Sequence, residues 1–250
     1  MKRLFFLLLT LIGFCSQEVC AQLSKTHYIP PFYANNNDGS VTAQEQALYI
    51  STPHVNANYT ITDGAGNILQ TSSVQEGSYE SYYQVGYGTA FIADATELNK
   101  VLNPKGIIVS SDSAIYVNMR INAGSFNSPS QGASLTSKGV DALGTVYRLG
   151  HIPSPQGHAR KSSGYGIMAV DNGTVVTINF KQKDVVFEGI GAPDPNVPLV
   201  INLNAGECYV GAIHSLTDPN NLDTGLIGSL VTSNKPIAVN TGSWAGSLIN

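Results

Sequence analysis

The sequence predicts an all-β protein made of two tandem antiparallel β-sandwich-like repeats, with a β-propeller-like ring as the alternative architecture. Three observations predict it. Charged residues make up only 12% of the 250-residue chain, while Gly, Asn, Ser, Thr and Tyr are abundant. Such a composition feeds strands and tight turns and leaves little material for amphipathic helices. Short apolar or alternating runs recur between turn residues, at roughly the 8–12-residue spacing of sandwiches and barrels. Finally, Gly106-Ile107-Ile108-Val109-Ser110-Ser111 is rewritten 122 residues on as Gly228-Ser229-Leu230-Val231-Thr232-Ser233.

Residues 1–21 read as a signal peptide. Lys2 and Arg3 precede an apolar run from Leu4 to Phe14, and Val19-Cys20-Ala21 closes with a small residue at the cleavage position. The run is too short to span a bilayer, which takes about 20 residues, and no later segment qualifies. The expected product is exported and not itself membrane-spanning, secreted or held at the cell surface. Lipidation of Cys15 is the competing reading, against which stands the bulky Phe14 before it. Two of the three cysteines fall within this segment, leaving Cys208 in a strand-like run as a core thiol.

Residues 22–124 form the first expected repeat, with strands at 47–52, 58–62, 67–74, 106–111 and 114–121 and a short helix at 93–102. A Ser, Gly and Gln-rich linker loop is expected at 125–142. The second repeat, 143–250, carries strands at 165–170, 174–180, 184–189, 199–204, 207–213, 228–233 and 236–241. Asp63–Asn67, Asp171–Gly173 and Ser233–Pro236 supply the backbone angles of turns. Each copy of the repeated phrase therefore predicts a hairpin, turning at Ser-Ser-Asp-Ser in the first and at Thr-Ser-Asn-Lys-Pro in the second. Alternation places Ile237 and Val239 on one face and Ala238 and Asn240 on the other. The duplication extends upstream: Tyr59–Thr62 matches Val176–Asn179, and Thr26–Tyr28 matches Thr145–Tyr147, in the same order.

The phrase "IGSLVTSNKPIAV", opened by "ALGTVYRLG" (142–150) and joined by "VDNGTVVTI" (170–178) and "LNAGECY" (203–209), resembles the IgGFc-binding protein N-terminal domain. "THYIPPF" and "LYISTP" are similar to the bacterial branch of that family, found at the head of large secreted surface proteins with gliding-motility-associated C-terminal sorting domains. The chain departs from the animal members at Asn240-Thr241-Gly242, where they usually run into Phe-Ser-Gly, and it lacks their cysteines. What the resemblance implies is an extracellular adhesion or ligand-binding module, part of a longer polypeptide exported by a type IX route. A structural spacer and a secreted hydrolase are the alternatives.

The chemistry sought in the sequence is mostly missing. With a formal net charge of −4 and no Lys/Arg cluster large enough to read phosphates, no nucleic-acid partner is expected. "GYGIMA" (164–169) fits a dinucleotide fingerprint on paper but leads into a strand, so no cofactor is expected. "NNNDGS" (35–40) has the oxygen-rich look of a calcium loop, yet Ala34 would stand at its first ligand position; it reads as a self-satisfied turn, with no metal. No nucleophile elbow, zinc motif or Cys/His arrangement is present, so the chain is expected not to be an enzyme. Two clusters are candidate contacts for an extracellular protein or glycan. His158, Arg160 and Lys161, in a loop with His151, form the one concentrated positive patch; Tyr82 and Tyr83 lie in "YESYYQVGY" with Tyr79 and Tyr87.

Overall fold

A computed structural model describes residues 23–34, 43–86, 88–125, 128–152, 162–214 and 225–244. The expected signal at 1–21, the turn at 35–40, and His158, Arg160 and Lys161 lie outside these residues. In chain order the strands are β1 (Ser24–Ile29), β2 (Phe32–Tyr33), β3 (Ala43–Ser51), β4 (Ala57–Asp63), β5 (Ile68–Val74), β6 (Tyr79–Val85), β7 (Ile92–Ala93) and β8 (Val101–Leu102). They continue with β9 (Ile107–Ser125), β10 (Ser128–Ser137), β11 (Gly144–Arg148), β12 (Ser162–Ala169), β13 (Thr174–Asn179), β14 (Leu199–Leu203), β15 (Cys208–His214) and β16 (Leu230–Trp244).

Two long, bent strands organise everything. The first part of β9 pairs with β1 and β4, and its second part with β3 and β10; β5 and β6 extend the two layers outward. β16 repeats the arrangement with β11 and β13 on its first part and β12 on its second, extended by β14 and β15. The register repeats as well. Tyr59 faces Ser111 and Val176 faces Ser233; Ile50 faces Val117 and Ile167 faces Val239. The expected hairpins are corrected by this pairing. Residues 107–125 and 230–244 are each one strand that bends at Ser-Ser-Asp-Ser or Thr-Ser-Asn-Lys and passes from one layer to the other, as corner strands of sandwiches do.

The corner is built identically twice. Ser111 Oγ donates to the Ser113 carbonyl and Ser233 Oγ to the Lys235 carbonyl, both at 2.6 Å. Asp112 accepts from the Asn58 backbone N–H at 2.9 Å, and Asn234 from that of Val175 at 2.7 Å, so each corner side chain caps the neighbouring strand. Beyond each corner a neighbouring side chain also reaches a backbone carbonyl, that of Ile115 or of Ile237. His27 Nε2 takes up the first at 3.1 Å, and the Tyr147 hydroxyl takes up the second at 2.7 Å, each from the strand lying alongside. Ahead of each long strand, Gly106 and Gly228 sit at φ 81° and 80°, a left-handed conformation that side-chain-bearing residues avoid.

Other sequence expectations are revised by long-range pairing. In place of a helix over 93–102, residues 94–100 form turns between β7 and β8, with Asn99 at φ 60° and its N–H bonded to Val210 O. The Asp94 carboxylate binds Thr96 N and Oγ1, a local arrangement that competes with a helix. Residues 184–189 contribute only the bridge Phe187–Ile213. The segment expected as a linker contains β10, whose ladder with β9 runs from Ser128 to Ser137.

The first core joins both layers of the first unit, including Leu48, Ile50, Tyr59, Ile61, Val109, Ile115, Val117 and Met119. The second gathers Tyr165, Ile167, Val176, Ile178, Phe180, Ile201, Val231 and Ile237. A third cluster packs Tyr33, Ala93, Leu98 and Leu102 against Met168, Cys208, Val210, Ala212 and Ala238, the other face of β12, β15 and β16. Buried on both faces, β12 reads as a nearly continuous buried run. Its glycines serve that contact: a Cβ on Gly166 would lie 2.3 Å from the Pro31 carbonyl oxygen. Asn240 closes the same seam by donating to Pro30 O at 2.7 Å.

Candidate functional site

Strand alternation divides the tyrosine cluster between two faces. Tyr82 points inward, stacked on Phe91 with ring centroids 6.2 Å apart, and its hydroxyl accepts from Gln84 Nε2 at 2.9 Å. Tyr79 and Tyr83 point outward, 66% and 46% exposed. Tyr49 on the adjacent β3 lies between them, 6.2 Å from Tyr79 and 6.4 Å from Tyr83, the latter edge-on. Partial burial raises the Tyr49 phenol above its ordinary range, and its hydrogen bond with Tyr83 acts in the same direction. Arg120 follows on β9, opposite Ala47, which in turn faces Tyr83. Three phenol rings and a guanidinium thus share one outward sheet face. Tyr87 lies outside the described residues.

Of the basic loop, the described residues show the two ends. His151 is fully engaged within the fold: its Nε2 accepts from Leu226 N at 3.2 Å, which leaves Nδ1 to donate to Ile152 O at 3.0 Å. His158, Arg160 and Lys161 lie outside the described residues; Ile152 and Ser162 line a cleft between the two units.

That cleft, about 720 Å³, is the feature the sequence did not announce. One wall is β9 and β10 (Met119, Ile121, Gly132–Leu135); the other is β12 and β16 (Ser162, Gly164, Tyr165, Asn240–Ser243); Phe32, Tyr33 and Gly150–Ile152 complete it. Among the described residues, no Asp, Glu, Lys or Arg lines it. Two of its lining residues, Ser162 and Tyr165, carry buried hydroxyls without a hydrogen-bond partner among the described residues. Residues up to 211 positions apart meet here, which is why local pattern could not find it. The signal present in the sequence was Thr241 and Ser243, polar residues where the alternation of β16 faces inward.

Buried ionisable groups elsewhere are structural. Lys105 Nζ is held by Glu97 Oε2 at 2.9 Å and by the carbonyls of Thr89 and Ile92 at 2.8 and 2.6 Å. Glu188 receives the Tyr33 hydroxyl. Cys208 is fully buried, its Sγ directed at Lys105 O, and burial pushes its thiol far up. Among the described residues no group of three His, Cys, Asp or Glu side chains is placed to hold a metal ion, and no helix is long and apolar enough to cross a membrane.

Comparison with known proteins supplies one match: the family model of IgGFc binding protein covers residues 132–249. That span begins in β10 and runs through β11–β16, so it takes in one wall of the cleft and part of the other. No curated protein and no solved structure matches the chain.

Proposed function

We propose that the chain is a noncatalytic extracellular binding module whose contact surface includes the outward tyrosine face. The observation that carries this reading is the exposure of Tyr79 and Tyr83 beside Tyr49 and Arg120 on a strand pair braced from behind by Tyr82 and Phe91. Rings held on a sheet lose little conformational freedom on binding, and tyrosine offers apolar area with a polar tip. Arginine and tyrosine are also the residues that most often dominate binding surfaces. The ligand is an extracellular protein or glycan. Tyr83 makes the contact, Tyr82 fixes the strand beneath it, and His158, Arg160 and Lys161 provide a second, electrostatic set. In this reading residues 1–21 direct export, and 22–124 and 143–250 are the two units of a longer surface polypeptide secreted by a type IX route. Two binding surfaces on one polypeptide raise avidity through effective concentration.

Beads displaying the chain test this. Tyr79→Ala with Tyr83→Ala, and separately alanine at His158, Arg160 and Lys161, should each weaken adhesion to immobilised extracellular proteins or glycans while the circular dichroism stays unchanged. Periodate treatment of the target removes binding if the ligand is a glycan, and protease treatment removes it if the ligand is a protein. Unaltered adhesion with both sets removed refutes the sites. Sustained product release from a polysaccharide or peptide library refutes the noncatalytic reading.

A further inference from the structure

Cross-strand register turns the tyrosine face into a chequerboard over β6, β3 and β9. Tyr79 is joined through Ser51 to Tyr116, a fourth ring on the same face. Two residues along, Tyr83 is joined through Ala47 to Arg120. In the row between them, Tyr49 stands at the centre, flanked by Ser81 and Asn118. Large groups thus occupy the corners and the centre, and Ser or Ala floors three of the gaps between them. The Arg120 side chain is exposed, and among the described residues no hydrogen bond or ion pair engages its guanidinium. We propose that this face binds an acidic polysaccharide, with sugar rings lying against the phenols and a uronate carboxylate held by Arg120. This rests on the tyrosine face being the contact surface, and it names the class of ligand that the face selects.

Ring geometry favours a single sugar chain over a flat surface. Tyr79 is tilted 53° and Tyr83 turned 90° to Tyr49, so the phenols present faces and edges in several directions and share no common plane. The successive rings of a polysaccharide turn relative to one another and can meet such a set one at a time. Aromatic faces carry negative charge density and attract the C–H bonds of a sugar ring. Hydroxyls surround the rings, where the centre of a protein interface is ordinarily poor in serine. β10 adds Thr136 beside Asn118 and Ser134 beside Arg120. The Asn118 amide fixes both, its Nδ2 donating to Thr136 Oγ1 at 3.0 Å and its Oδ1 accepting from Ser134 Oγ at 3.2 Å, which leaves the Thr136 hydroxyl proton for a ligand. Charge then selects the acid. The planar guanidinium matches a carboxylate with two parallel hydrogen bonds. Burial leads the upward shift of the Tyr49 phenol and the Arg120 charge opposes it, so the guanidinium lies toward the central ring. Glu45, a row beyond Arg120 on the same face, forms no ion pair with it among the described residues. A ligand carboxylate therefore approaches Arg120 from the Tyr49 side, away from Glu45.

Calorimetric titration of the full chain tests this with sodium polygalacturonate, alginate and hyaluronate, each beside its fully methyl-esterified form. The titrations are run in about 0.15 M salt, where the Debye length is about 8 Å and the formal net charge of −4 is largely screened. At least one of the acids should bind about fivefold or more tighter than its own ester. Arg120→Gln should erase that preference with the circular dichroism unchanged, and Tyr79→Ala with Tyr83→Ala should weaken acid and ester alike by about tenfold. Equal binding of acid and ester, or no binding of any of the three acids, overturns the inference, and this comparison needs no variant to fold. A preference that survives Arg120→Gln overturns it as well, and so does tighter binding of dextran sulfate than of every uronate. The wider reading fails separately. Capture of neutral glycans or of proteins that still depends on Tyr79 and Tyr83 removes the acidic ligand and keeps the tyrosine face, whereas binding untouched by the double tyrosine variant removes both.

Discussion

Replacing Tyr165 by phenylalanine should make the protein more stable, whereas the same change at Tyr147 should make it less so. The Tyr165 ring is 2% exposed, packed on Tyr209 and Phe180, and its hydroxyl has no hydrogen-bond partner among the described residues. A buried hydroxyl without a partner costs about 1–3 kcal/mol relative to water, so its deletion, less a small void, should yield about 1 kcal/mol. For a chain of this size that corresponds to roughly 2–4 °C in Tm. Tyr147 is the opposite case. Its hydroxyl lies 2.7 Å from Ile237 O and 2.8 Å from Ala142 O, either of which can accept its proton. Tyr147→Phe should therefore lose about 1–2 kcal/mol, or about 3–6 °C. Differential scanning calorimetry of both variants without any ligand decides the matter. A Tyr165→Phe protein melting several degrees below the parent would refute the assignment of its hydroxyl as unpaired.

Further expectations follow from the corner and the seam. His27 is buried and its imidazole pKa is lowered by desolvation, against the pull of its hydrogen bonds to Ile115 O and Ser24 O. Above about pH 6.5 both folded and unfolded forms are neutral there; as pH falls below that value the unfolded chain takes a proton the folded one resists, so stability drops. His27→Gln should flatten the Tm profile between about pH 6.5 and 5, and an unchanged slope would exclude His27 as its source. At the first corner, Asp112→Asn should preserve the Tm because Asn234 does the same task in the second unit, while Asp112→Ala should lower it by uncapping Asn58; equal melting of the two variants would remove the cap from the account. Gly166→Ala places a Cβ 2.3 Å from Pro31 O and should cost about 1–3 kcal/mol by forcing the seam apart, read by urea titration; a neutral result would mean the units are not packed as described.

What the sequence made legible was what local chemistry encodes. The repeat showed because the left-handed glycine, an apolar pair (Ile108-Val109 and Leu230-Val231) and the corner residue keep their spacing in both copies. Alternation correctly set Ile237 and Val239 against the second core and Ala238 against the seam. The hairpin reading failed for a nonlocal reason. Ser-Ser-Asp-Ser carries every mark of a turn, but whether the chain folds back on itself or bends onward depends on β1 and β4, which flank β9 and bind both sides of the corner. The Ser and Gly content of β10 has no strand preference of its own and so suggests a linker; its ladder is supplied by β9. Tyr82 and Tyr83 were seen as a pair, and the parity of the strand then separated them into a bracing residue and an exposed one.

Agreement between the two copies identifies scaffold, and disagreement identifies where each copy meets a different neighbour. Both keep the glycine, the corner serine, the corner cap and the side-chain bond to the isoleucine carbonyl beyond the corner. They part at the second half of the bent strand, where Met119, Arg120 and Ile121 under β10 correspond to Thr241, Gly242 and Ser243 beside the cleft. There Thr241 Oγ1 donates to Gly150 O at 2.5 Å, and Ser243 Oγ donates to Ile152 O at 3.2 Å and accepts from Ile152 N at 3.0 Å, so the first copy's Met and Ile at these positions would strip those backbone groups of their partners. Thr241→Met combined with Ser243→Ile is thus expected to keep the β circular dichroism spectrum yet lower the Tm, by roughly 2–4 °C for each kcal/mol lost. Differential scanning calorimetry measures it. A variant that melts as high as the parent would show that these side-chain bonds do not hold residues 150–152 against β16.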